Sequence, residues 1–157
     1  MRVKIMSLAA VLLLISFAGL ATAADTLGDD AKAELKKFQG TWVLISGEVD
    51  GKKVADEHAK QSKITWDGHK ISLVTPHQSE ETILAMVTKM DLTKNPKEIH
   101  WVPSNGPSAG TTMIAIYEFD DGDQYKISFD PSGKGSPKEF STKEGTGHVR
   151  HIWKRVK

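Results

Sequence analysis

Phe38-Gln39-Gly40-Thr41-Trp42 decides the fold. A glycine followed by an indole at the start of the first extended run, directly after a short amphipathic lead-in, predicts a small β-barrel whose first strand plugs one end with a tryptophan. On the N-terminal side, Asp29 and Asp30 offer an N-cap and negative charge for a short helix on which Ala31, Leu35 and Phe38 recur at helical spacing. Gly40 ends that helix. On the C-terminal side the chain breaks into short alternating runs separated by Asp50-Gly51, Asp67-Gly68, Asn95-Pro96, Asn105-Gly106-Pro107, Asp121-Gly122 and Pro131-Ser132-Gly133. Short strands between regularly spaced turns argue for an all-β barrel or sandwich.

Two hairpins carry a testable register. A two-residue turn at Asp67-Gly68 sets Trp66 opposite His69 and Ile64 opposite Ile71, with the apolar residues on one face. A three-residue loop Asp120-Asp121-Gly122 sets Tyr117 opposite Tyr125 and Glu118 opposite Gln124. Its inward face then reads Met113, Ala115, Tyr117, Tyr125, Ile127 and Phe129, while Glu118, Gln124, Lys126 and Ser128 face solvent. The rival two-residue turn would oppose Glu118 to Tyr125 and bury a carboxylate.

At the N-terminus, Arg2 and Lys4 precede an apolar run over 8–20 that ends in Ala21-Thr22-Ala23. This is the pattern of a secretory signal peptide, residues 1–23, cleaved after Ala23 to leave one domain over 24–157. The run is too short for a membrane-spanning helix, and no cysteine is present to carry a lipid, so no stable membrane anchor is expected after cleavage. The reading is an exported protein, periplasmic or extracellular. Cleavage removes two of 21 basic residues and no acid, leaving 19 against 20. A charge near zero gives no electrostatic footprint for nucleic acid. Without cysteine, stability in an oxidising compartment rests on the core alone.

Several further segments carry a family resemblance: Leu35-Lys36-Lys37-Phe38-Gln39-Gly40-Thr41-Trp42, Val49-Asp50-Gly51-Lys52, the stretch 91–97 ahead of Ile99, and Gly106-Pro107 with Gly110-Thr111. Ile116-Tyr117-Glu118-Phe119 leading to Gly122-Asp123, Lys126-Ile127-Ser128-Phe129 and Glu139-Phe140-Ser141 complete the set. Together, over about 35–155, they resemble the uncharacterised lipocalin-like domain family abundant in planctomycete bacteria. The resemblance implies a lipocalin-like up-and-down antiparallel β-barrel of about eight strands with a short N-terminal helix, and no established activity. The chain departs from that pattern in an extra residue at Asp120-Asp121 and in a histidine-containing final run over 148–153. The lipocalin pattern further implies that Trp42 packs under a basic side chain of the last strand, closing the barrel's end. Arg150 and Arg155 are the two residues that could serve.

A barrel of about eight strands either fills its interior with side chains or holds one small ligand. Trp66, Trp101, Tyr117, Tyr125 and Phe129 are the candidate lining of an apolar pocket, with tyrosine hydroxyls as orienting groups. The same five also suit a solid core, because any barrel requires aromatics on its inward face.

The sequence gives no sign of catalysis, metal or cofactor. Among the six histidines, His58, His69, His77 and His100 are scattered, and His148 and His151 point to opposite faces of a strand, so surface positions are expected. Asp120-Asp121-Gly122-Asp123 lacks the later glutamate of a calcium loop and reads as a hairpin turn. The adjacent Glu80-Glu81 diverge in a strand, and no nucleophile elbow, zinc helix or phosphate loop is present. The stretch 130–147 reads as a long exposed loop with one anchor, Phe140. Two functions remain open: an exported carrier holding a small apolar ligand in the barrel, or a non-catalytic envelope module that binds a protein partner. The module would use an outer patch of Val149, His151 and Trp153, or the 105–110 loop.

Overall fold

The computed structural model describes residues 27–76, 79–120 and 122–157, with the side chains of 79–81 excepted. The expected leader and His77 lie outside the described residues, as do the side chains of Glu80 and Glu81. A short helix, α1 (Asp29–Leu35), leads into β1 (Gly40–Val49) and a two-residue β2 (Lys52–Lys53). A second helix, α2 (Asp56–Gln61), precedes β3 (Lys63–Asp67), β4 (Lys70–Thr75), β5 (Ser79–Asp91) and β6 (Lys97–Pro103). The chain ends with β7 (Met113–Asp120), β8 (Gln124–Phe129) and β9 (Val149–Arg155). Neighbouring strands pair antiparallel in chain order, and β9 returns to β1, so eight strands close into a barrel to which β2 is a short appendage of β1. This is the all-β up-and-down architecture the sequence predicts.

Helix α1 starts differently from expectation. Gly28, in extended conformation, is the N-cap, and Asp29 and Asp30 occupy the first turn, where their charge opposes the positive end of the helix. Ala31, Leu35 and Phe38 are buried as the spacing predicts. α2 carries no apolar stripe beyond the buried Ala59, which is why the strand reading of the sequence passes over it. It packs against β1 and β4, beside the five-residue β3.

Alternation along each strand points Met113, Ala115, Tyr117, Tyr125, Ile127 and Phe129 inward, all buried. Irregularities in pairing between Leu44 and Ser46, Leu73 and Thr75, and Val87 and Lys89 mark β-bulges, which bend strands around a barrel. The bulge in β1 leaves Ile45 on the outside, 46% exposed.

Both hairpin registers are corrected by two residues. The first turn is centred on Gly68-His69, pairing Asp67 with Lys70, Trp66 with Ile71 and Ile64 with Leu73. Gly68 takes φ +58°, the left-handed value that suits glycine at the first position of a two-residue hairpin turn. Gln39 brackets it, accepting from the Gly68 N–H at 2.7 Å and donating to the Gly68 carbonyl at 2.9 Å. In the second hairpin Asp120 pairs Gln124, Glu118 pairs Lys126 and Tyr117 pairs Ile127. A slip of two keeps every side chain on its predicted face.

The 130–147 segment is not a loop with a single anchor. It runs along the outer wall as a strap: Ser136 Oγ donates to Glu98, Lys126 sits 4.6 Å over the Phe140 ring, and Thr142 Oγ1 donates to Glu48 at 2.9 Å. Glu98, Ile116, Ser128, Arg150 and Glu48 follow one another across β6, β7, β8, β9 and β1 at one level of that wall. Ile116 and Ser128 lie on the face opposite the core, yet are 2% and 0% exposed. With Pro137 buried among them, the strap is the covering.

Candidate functional site

The two ends of the barrel differ. At the end where β1 begins and β9 finishes, Phe38 enters as a plug with its ring centre 4.6 Å from Trp66, 4.7 Å from Phe119, 5.0 Å from Tyr117 and 5.2 Å from Tyr125. Trp42 lies beside it, its indole N–H donating to the Phe38 carbonyl at 2.6 Å. The Arg155 guanidinium sits 4.0 Å over the Trp42 ring. It also donates to the carbonyls of Gln39 at 2.6 Å and Lys37 at 2.8 Å. Arg150 does not share this position. Five residues back along β9, it pairs with Glu48 on the outer wall and donates to the Phe140 carbonyl, so it fastens the strap.

Three of the five aromatics named as ligand lining belong to this closed end. The Trp66 N–H donates to the Tyr125 hydroxyl at 3.2 Å, and the Tyr117 hydroxyl donates to Glu34 at 3.3 Å. Neither tyrosine is therefore an orienting group for a ligand. Burial drives both phenol pKa values far up, and the adjacent Glu34 charge adds to the rise at Tyr117.

Glu34 is itself 8% exposed and receives Lys37 at 2.7 Å and Lys97 at 2.9 Å. Burial alone would raise its pKa, but the hydrogen bonds and charges of the two lysines outweigh it and hold the carboxyl below its ordinary 4.5. The cleft around this cluster, about 340 Å³ with Asn95, Pro96, Glu118 and Phe119 on its walls, is where α1 is tied to β6 and β7. Nothing in the sequence reading pointed to Glu34. Its signal is a lone acid on the helix face that also carries Ala31, Leu35 and Phe38.

The opposite end is open. A cavity of about 390 Å³ is walled by Val49, Leu73, Ile83, Trp101, Met113, Phe129 and Val149, with Thr75, Asn105 and Ser108 and prolines 103, 107 and 131 toward the mouth. No charged side chain lines it. Below lies a second space of about 40 Å³ walled by Ile64, Trp66, Ile71, Ala85, Ile127, His151 and Trp153. Leu73, Ile83, Trp101 and Phe129 border both. Of the five candidates, Trp101 and Phe129 line the cavity, Trp66 touches only the lower space, and Tyr117 and Tyr125 touch neither. The aliphatic majority of the lining escaped the sequence reading because it was sought among aromatics.

One side of the mouth is pinned. The Asn105 side chain accepts from the Leu84 N–H at 2.7 Å and donates to the Thr82 carbonyl at 2.8 Å, so it fills a backbone partner's place on β5. Ser104 adds its own N–H to the Leu84 carbonyl at 2.7 Å.

The outer patch of Val149, His151 and Trp153 does not exist. All three face inward, at 0%, 1% and 1% exposed, because Arg150 and Lys154 at alternate positions demand the outside. His151, expected on the surface, packs edge-on to Trp153 at 5.3 Å and borders the lower space. Among the described residues no three His, Asp or Glu side chains are grouped to hold a metal ion. The Asp123 carboxylate is engaged with Lys157 at 3.4 Å. No family model, curated protein or solved structure matches the chain.

Proposed function

We propose that this chain is an exported, lipocalin-like carrier that holds one small apolar molecule in the open end of its barrel. The observation that carries the reading is the 390 Å³ cavity, within the size range of small-molecule sites, apolar along its walls and uncharged throughout. The pattern of the first 23 residues supports export. The resemblance to the planctomycete lipocalin-like family supports the barrel form and no particular activity, and the pinned rim supports a preformed site.

The test is native mass spectrometry of the protein purified from cells, without detergent or organic solvent. A carrier retains a bound mass of a few hundred daltons that organic extraction releases. A protein that shows only its own mass, and whose tryptophan emission responds to no apolar compound, is not one. The rival reading, an envelope module, loses its proposed outer patch and keeps only the 105–110 loop. That loop stands at the cavity mouth and fits a carrier equally well.

A further inference from the structure

Inward-facing residues on four strands come in vertical pairs: Leu73 above Ile71, Ile83 above Ala85, Phe129 above Ile127 and Val149 above His151. The upper member of each borders the large cavity and the lower member the small one. A step of two residues along a strand is about 7 Å, so the two spaces are one shaft in successive layers. Trp101 borders both layers, braced edge-on by Phe129 at 5.3 Å. Among the four tryptophans it alone is not fully buried. It is the largest of the four side chains, with Leu73, Ile83 and Phe129, that border both layers.

We propose that Trp101 is the specificity-determining floor of the site, limiting the ligand to a single-headed, uncharged amphiphile whose tail ends against the indole. This inference rests on the carrier reading. At about 30 Å³ for each water-sized group, the upper chamber takes roughly 13 such groups. The side chains of Asn105 and Ser108 are spent on the β5 backbone and the Pro131 carbonyl, and the lower walls are apolar, so a polar head stays at the open mouth, where water reaches it, and the tail points down. With no lysine or arginine in the lining, no cation is present to favour an anionic head.

The experiment is isothermal titration of the folded, delipidated protein with straight-chain alcohols from octanol to octadecanol, compared between the parent and Trp101→Ala. In the parent, affinity rises with chain length to about dodecanol and then falls at least tenfold by hexadecanol. In Trp101→Ala the optimum moves longer by at least about two carbons. The lower 40 Å³ alone admits roughly one more group at about 30 Å³ each, and the vacated indole adds more. Trp101→Phe shifts the optimum in the same direction by less, and it decides the matter if the alanine variant fails to fold by circular dichroism. An unchanged chain-length profile in the folded variants overturns the role of Trp101 while leaving the carrier standing. Failure of every alcohol to bind the parent overturns the cavity as a ligand site, and this inference with it.

Discussion

Arg155→Ala should loosen the closed end of the barrel more than any other single substitution of an exposed or half-exposed charge. The guanidinium does three things at once. It lies 4.0 Å over the Trp42 ring, and it donates to the carbonyls of Gln39 and Lys37 on the stretch that joins α1 to β1. A cation–π contact of this kind contributes about 0.5–2 kcal/mol, and each hydrogen bond from a charged donor about 1.5–3 kcal/mol when sheltered. The side chain is 28% exposed, so water recovers part of each hydrogen bond and the lower figures apply. The expected loss is about 2–4 kcal/mol, which moves a urea midpoint by roughly 1–2 M. Arg155→Lys keeps a cation near the ring but cannot fork to two carbonyls, so it should recover about half. Arg150→Ala, which breaks a partly exposed pair with Glu48 on the outer wall, should cost about 1 kcal/mol or less. Urea unfolding followed by tryptophan fluorescence measures all three. If Arg155→Ala unfolds within about 0.5 kcal/mol of the parent, or no more easily than Arg150→Ala, the guanidinium does not hold the closed end.

The chain's two tyrosines, Tyr117 and Tyr125, are both buried with pKa values raised above the ordinary 10.0. Above about pH 10 the unfolded chain releases phenolic protons that the barrel retains, so stability falls as pH rises. Tyrosinate absorbance should therefore appear only with cooperative unfolding, and a gradual titration of the native protein near pH 10 would contradict the packing. Glu34 has the opposite sign. Its folded pKa lies below 4.5, so its stabilising contribution is present above that value and disappears as pH falls through the lowered one. Glu34→Gln should flatten the fall in melting temperature over that acid window, and an unchanged slope would show that the lysine contacts are not sheltered. Gly51 takes φ +77°, and a Cβ there would stand 2.8 Å from the Glu144 backbone nitrogen. Gly51→Ala should thus cost about 1–3 kcal/mol and speed amide exchange in residues 143–147, whereas Gly135→Ala, with open space around it, should do neither.

The closed barrel was legible in the sequence because two local signals agree along most of the chain: alternation of apolar residues and turn chemistry at the breaks. The register was not, and both hairpins slipped by the same amount for the same reason. Alternation repeats every two residues, so it cannot distinguish Trp66 opposite Ile71 from Trp66 opposite His69. Only the turn can, and in each case the turn includes the residue after the glycine: His69 in one hairpin, Asp123 in the other. The parity of β9 was legible too, since Arg150 and Lys154 fix Val149, His151 and Trp153 inward; the histidine drew the reading to the wrong face. Depth was hidden. Trp66, Tyr117, Tyr125, Trp101 and Phe129 all face inward, and nothing in a single strand tells which layer of the barrel each occupies. That depends on how far neighbouring strands are staggered, a property of the closed sheet.

Depth also separates the filled end of this barrel from the open one. At the closed end the polar groups of the rings have internal partners: Trp42 donates to Phe38, Trp66 to Tyr125 and Tyr117 to Glu34. A layer so satisfied offers a ligand nothing to bind and gains nothing by opening. At the open end the walls are aliphatic chains and two rings, the rim is stiffened by three prolines, and Asn105 pins one side to β5. Stiff walls around an unfilled apolar space reduce the ordering cost of binding, because little must be fixed when a ligand enters. A chain that needed only a stable barrel could bring larger side chains to the positions of Leu73, Ile83 and Met113 and close the space. It places its bulk at the other end, around Phe38, and leaves Trp101 as the one indole within reach of the mouth.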